Sequence, residues 1–170
     1  MDLYTPSVPQ LAKMLRNLDT WLDSAVRHAE AKSFDPEILL GLRLAPDQYP
    51  LARQIQSACD AAKLGAARVA GKDAPVHPDT ETTLAQLKAR IHDVLGYLEG
   101  FGPADFVDAH MRRISLPWMQ GKWVAAPDYL FQFAIPNFYF HLVTAYSILR
   151  HNGVELGKRP YIGHMPLQDA

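Results

Sequence analysis

Phe138-Tyr139-Phe140-His141-Leu142-Val143-Thr144-Ala145-Tyr146-Ser147-Ile148-Leu149, residues 138–149, is the stretch that decides the fold. It is apolar almost all round, and a helix of that kind must be covered on more than one side. One side is the core of a helical bundle. The other meets either residues 103–127 or a second copy of the chain, so a homodimer is expected. The helix carrying this stretch reads from near Asp128 to an Asn152-Gly153 stop. Pro136 either kinks it or restarts it.

Three helices precede it. Leu11, Leu15, Leu18, Leu22, Val26 and Ala29 recur at three- and four-residue steps, with Lys13, Arg16, Asp19, Asp23 and Arg27 on the other side. This predicts a helix over residues 7–33, with Ser7-Val8-Pro9-Gln10 as a capping box. Ser33-Phe34-Asp35-Pro36 breaks it. Residues 37–46 are too apolar for a solvated loop and read as a buried connector with one helical turn. Asp47 is the expected N-cap of the second helix, with Pro50 in its first turn. That helix turns Leu51, Ile55, Ala58, Cys59, Ala62, Ala66 and Val69 inward and stops at Gly71. The third, capped by Asp79 or Thr80, carries the stripe Leu84, Leu87, Ile91, Val94, Leu95 and Leu98, and ends at Gly100 and Gly102. Residues 103–127 have poor periodicity. Residues 113–116 and 122–125 can pair as a short hairpin, and Trp118 and Trp123 favour a structured connection. These elements predict an all-α antiparallel four-helix bundle with one long connection, a single domain over residues 1–170.

The 170 residues suffice for a sizeable core, and a net charge of −1 excludes a broad basic face for nucleic acid or anionic membrane. The single cysteine, Cys59, excludes a disulfide framework and any zinc site of two or more thiolates. The N-terminus lacks a basic and an apolar signal region, and no uncharged apolar stretch is long enough to span a bilayer. A cytoplasmic protein is expected, with no nucleic-acid or membrane partner.

Residues 136–158 read Pro-Asn-Phe-Tyr-Phe-His, then Leu-Val-Thr-Ala-Tyr-Ser-Ile-Leu-Arg-His-Asn-Gly-Val-Glu-Leu-Gly-Lys. Together with Arg43-Leu44-Ala45-Pro46-Asp47-Gln48-Tyr49-Pro50-Leu51-Ala52-Arg53-Gln54, this resembles a domain-of-unknown-function family within the DinB/YfiT-like superfamily of metalloenzymes. The resemblance covers nearly the whole chain. It implies a DinB-like four-helix bundle, commonly dimeric. The superfamily's better-understood members hold a divalent metal on three histidines, one on the second helix and an HxxxH pair on the last. Some transfer a small thiol to an electrophile, or isomerise a thiol adduct, at that metal.

In this chain the resemblance places the last of those histidines at His141, counting back from the Arg150–Gly153 tail. The other half of the pair is Asn137, and the second-helix position falls best to Gln54, with Asp60 the weaker choice. Two of the three histidines are therefore absent. A carboxamide oxygen is a weak ligand for first-row metals, so such a set should hold a divalent metal far less well than three imidazoles. The residues leave two readings of His141 open: a core histidine satisfied by Asn137, Gln54 or Thr144, or a group acting on a ligand. If the chain is an enzyme, the resemblance implies a small-molecule transferase or isomerase acting on a thiol or similar nucleophile. His141 would be its base or sole strong metal ligand, and Asn137 and Gln54 would orient substrate. The alternative is a non-catalytic homodimer serving as a binding or stress-response module. His110, on the irregular connection, could fold over the bundle mouth; Cys59 should be buried and inert.

Overall fold

Leu11, Leu15, Leu18 and Leu22 are all fully buried, and so are Ile55, Leu87, Ile91 and Leu142 on three other helices. These residues make one continuous core in the computed structural model, which describes residues 1–168. The helices are α1 (Tyr4–Ser7), α2 (Pro9–Lys32), α3 (Leu51–Ala70), α4 (Leu84–Glu99), α5 (Ala126–Tyr129), α6 (Ile135–His151) and α7 (Lys158–Ile162). Helices α2, α3, α4 and α6 form the bundle: α4 and α6 each pack against both α2 and α3. Among the described residues no helix is long and apolar enough to cross a membrane.

The predicted inward stripes of α3 and α4 are buried throughout. Gly71 adopts the left-handed conformation (φ 69°) that ends α3. The connector after α2 is a 3₁₀ turn, Pro36–Gly41, which buries Leu39 and Leu40 but leaves Ile38 exposed. Within the long connection, Arg113–Ile114 (β1) pairs antiparallel with Val124–Ala125 (β2), as expected of the hairpin. Phe106, Ala109, Ile114 and Leu116 anchor the connection in the core.

Several helix starts differ from the sequence expectation. The first helix is split at Val8 into α1 and α2. Ser7 caps nothing: its hydroxyl is drawn back to the carbonyls of Leu3 and Tyr4, and Gln10 donates to Tyr139 Oη at 2.7 Å. Helix α3 begins after Pro50 rather than at Asp47, with no side-chain cap. Helix α4 is capped by Thr83, not by Asp79 or Thr80, in a box with Gln86. Asp79 is instead drawn away to Arg53 and Arg90.

Pro136 stands in the first turn of α6, which takes up α-helical bonding again at Ile135, the restart that is one of the two sequence expectations. Proline lacks the amide hydrogen that would bond four residues back, and its ring would crowd that carbonyl. The chain widens into a π-helical turn over Leu130–Ala134, with the Ile135 amide donating to Leu130 five residues earlier. The turn joins α5 to α6 without a break. Phe138, Leu142, Ala145, Ile148 and Leu149 enter the core, whereas Phe140 (57% exposed) and Val143 (41%) stay uncovered within the single chain. The long connection packs against α1, α3 and α5 instead.

Candidate functional site

Helix α3 presents small residues to the α5–α6 run. A methyl built on Gly65 would lie 3.5 Å from Ala134 Cβ, ordinary contact distance, so the two backbones run close there. Beside this seam lies a cleft of about 270 Å³. Ser57, Asp60 and Arg68 line it from α3, and Asn137 and His141 from α6. Leu116, Pro117, Trp118, Tyr129 and Phe133 make its apolar wall. The π-helical turn sets Phe133 and Ala134 on this wall, directly before Asn137.

At one end His141 Nδ1 lies 2.8 Å from Gln54 Oε1. Gln54 is fully buried, and its Nε2 donates to the Tyr49 carbonyl at 3.1 Å. A carbonyl can only accept, so the amide group of Gln54 faces Tyr49 and its oxygen faces the imidazole. His141 must then donate from Nδ1, which leaves the lone pair on Nε2. Nε2 has no protein hydrogen-bond partner among the described residues. Burial and the Arg53 cation both disfavour the imidazolium and hold the His141 pKa below its usual value. At neutral pH the ring is neutral with an unpaired acceptor, and His141 is one of the residues that line the cleft.

The three expected site residues are thus placed unequally. Gln54 and His141 meet directly, but Gln54 sits behind the ring and does not line the cleft. Asn137 lines it one turn from His141, and makes no hydrogen bond to either residue. Thr144 is turned back to the Phe140 carbonyl. His110 lies exposed in a 3₁₀ turn, Ala109–Met111, away from the cleft lining. Cys59 is fully buried, and desolvation pushes its thiol pKa up to about 12, which removes it as a nucleophile at neutral pH.

Asp60 and Arg68 are the lining groups that the sequence reading passed over or ranked low. A second helical stripe through Ser57, Asp60, Leu64 and Arg68, beside the apolar face, was the signal that could have found them. Asp60 opens onto a buried charge cluster. Its Oδ1 accepts from Arg90 and from Lys63, both at 2.9 Å; Arg90 is 2% exposed and Lys63 3%. Arg90 also pairs with Asp79 and Glu81, and Lys63 Nζ lies 2.9 Å from His77 Nδ1.

This donor set does not fit a divalent metal held by three strong ligands. Gln54 Oε1 is occupied by the imidazole, Asp60 by two cations, and Asn137 offers only a carboxamide. Among the described residues no three His, Cys, Asp or Glu side chains gather into a potential metal site.

The family model for a domain of unknown function, DUF1993, matches residues 3–162. The crystal structure of a DinB family member protein from Shewanella denitrificans superposes with a TM-score of 0.96 at 52% identity, covering 99% of this chain and 96% of that one. A search of curated proteins finds no match.

Proposed function

We propose that this chain, which belongs to the DUF1993 family, binds a small thiol-type molecule in the Asn137–His141 cleft and transfers or isomerises it without a metal. The observation that carries this reading is the Gln54–His141 bond, which leaves the His141 Nε2 lone pair for a ligand. The thiol class comes from the resemblance to thiol-dependent DinB/YfiT-like proteins, and the cleft supports it by offering a neutral acceptor.

In the proposed step the thiol hydrogen passes to Nε2 as sulfur bonds to the electrophilic carbon of an unsaturated acceptor. The electron pair of the acceptor's double bond moves to the neighbouring carbon. The imidazolium then returns the proton to that carbon, so atoms and charge balance without an oxidant. Gln54 holds the ring in the tautomer this needs, and the Asn137 amide orients the ligand. The low His141 pKa makes a free thiolate–imidazolium pair unfavourable, which favours proton transfer concerted with bond formation.

Calorimetric titration of matched pairs, such as phenylmethanethiol, an alkyl thiol that stays protonated at neutral pH, and its S-methyl ether, tests the binding half. The reading expects the thiol to bind more tightly, and the difference to vanish in His141→Ala. Equal affinities for thiol and thioether would contradict it.

A second reading, a non-catalytic homodimeric binding module, is favoured by the uncovered Phe140 and Val143 on α6. Gel filtration with light scattering tests the dimer, and a monomer would remove that support.

A further inference from the structure

The cleft has a second pole. Arg68 lies eleven residues beyond Ser57 on α3, about 16 Å along the helix axis, at the end opposite the Gln54–His141 pair. Its NH1 donates to Tyr129 Oη at 3.0 Å, and its guanidinium sits 5.9 Å from the centre of the Tyr129 ring. Arg53 and Arg90, by contrast, each pair with a carboxylate, as do Lys63 and Lys88. Among the described residues no carboxylate lies within ion-pair distance of Arg68, and Asp60, the acid in the same cleft, is already held by two cations. Next to this cation Tyr129 stacks on Phe133 at 5.7 Å, and Phe133 lies 5.7 Å from Trp118.

We infer that this end of the cleft is a carboxylate-binding subsite, in which Arg68 clamps the anion while Phe133 and Trp118 cover a flat apolar body. The inference rests on the cleft being a ligand site, and it names the ligand class as a small unsaturated or aromatic carboxylate. A buried tyrosine holds one guanidinium nitrogen, so the rest of the planar fork is presented with little loss of side-chain freedom. One unpaired arginine matches a single negative charge. A phosphate dianion would call for further cations or an array of backbone amides.

Titration of the full chain with benzoate, benzamide and phenyl phosphate, followed by calorimetry and tryptophan fluorescence, tests it. Benzoate should bind about tenfold or more tightly than benzamide, the range expected for a charge-assisted hydrogen bond. Arg68→Gln should abolish that preference, and Tyr129→Phe should weaken it while keeping the charge. His110→Gln should leave it intact, because that residue is exposed and outside the cleft lining. Thermal melts establish that the variants fold; should Arg68→Gln fail to, Tyr129→Phe and Arg68→Lys carry the test. Equal binding of benzoate and benzamide, a preference that survives Arg68→Gln, tighter binding of phenyl phosphate, or no binding of any probe would each overturn the inference. A carboxylate preference without discrimination of thiol from thioether would defeat the proposed chemistry and leave this subsite standing.

Discussion

His141 on α6 and Gln54 on α3 are joined by one hydrogen bond, 2.8 Å between Nδ1 and Oε1, with Gln54 fixed in turn by the Tyr49 carbonyl. The bond links the two helices that frame the cleft, and it determines which ring nitrogen is left without a protein partner. A buried polar pair of this kind is costly to leave half made. Replacing Gln54 with Leu should destabilise the protein by about 1–3 kcal/mol, the cost of an orphaned buried donor. Replacing it with Glu should instead place a carboxylate against Nδ1 and raise the His141 pKa. Chemical denaturation checks the first outcome, and NMR titration of the ring protons checks the second.

Acid should weaken the fold through two histidines. His77 is held below its ordinary pKa by burial first and then by the Lys63 cation, and His141 by burial and then Arg53. Each is neutral in the folded chain over a range where the unfolded chain is already protonated. Their contribution is therefore present above the unfolded value of 6.5 and is lost as pH falls below it toward each folded value. Melting temperature measured against pH should drop over that window. The drop should be smaller in His77→Gln, where no second cation can form beside Lys63. An unchanged pH profile in that variant would contradict the role given to His77.

Arg90 should be among the most sensitive polar positions. It is 2% exposed and joins Asp60, Asp79 and Glu81. The Glu81 pKa stays low although desolvation pushes it up, because Arg90 and Gln56 hydrogen-bond its charged form. Arg90→Met should destabilise toward the low end of about 3–5 kcal/mol, because Asp60 and Asp79 retain partial access to water. Urea denaturation measures it, and a change within experimental error would show that the cluster is not structural.

The uncovered apolar face of α6 gives the dimer reading a direct test. If a second copy covers Phe140 and Val143, the double change Phe140→Asp and Val143→Lys should shift the protein to a monomer by light scattering without lowering the helical content. A wild-type monomer, or a dimer indifferent to these changes, would contradict it.

The bundle was legible because its signal is periodic: the α2, α3 and α4 stripes follow from apolar spacing alone. The helix starts were less so. Ser7, Asp47 and Asp79 are all good capping residue types, and tertiary contacts decided between them and their rivals. Asp79 was drawn off by Arg53 and Arg90, which left Thr83 to cap α4. The π-helical turn was hidden because Pro136 allows a kink, a break or a widened turn, and only packing selects among them. At the site, His141, Asn137 and Gln54 came from the family resemblance and the positions of its motif, not from apolar spacing. That Gln54 stands behind the imidazole rather than in the cleft lining depends on rotamers that no spacing specifies. The burial of Lys63 and Arg90 was equally illegible, because long cationic chains in a sequence look alike whether solvated or enclosed.

The tautomer of His141 is the most direct test of the whole account. Long-range ¹⁵N–¹H NMR of the imidazole at neutral pH should show a neutral ring protonated at Nδ1, with Nε2 unprotonated and shifting when phenylmethanethiol is added. A ring protonated at Nε2, an imidazolium, or an Nε2 resonance indifferent to the thiol would contradict it.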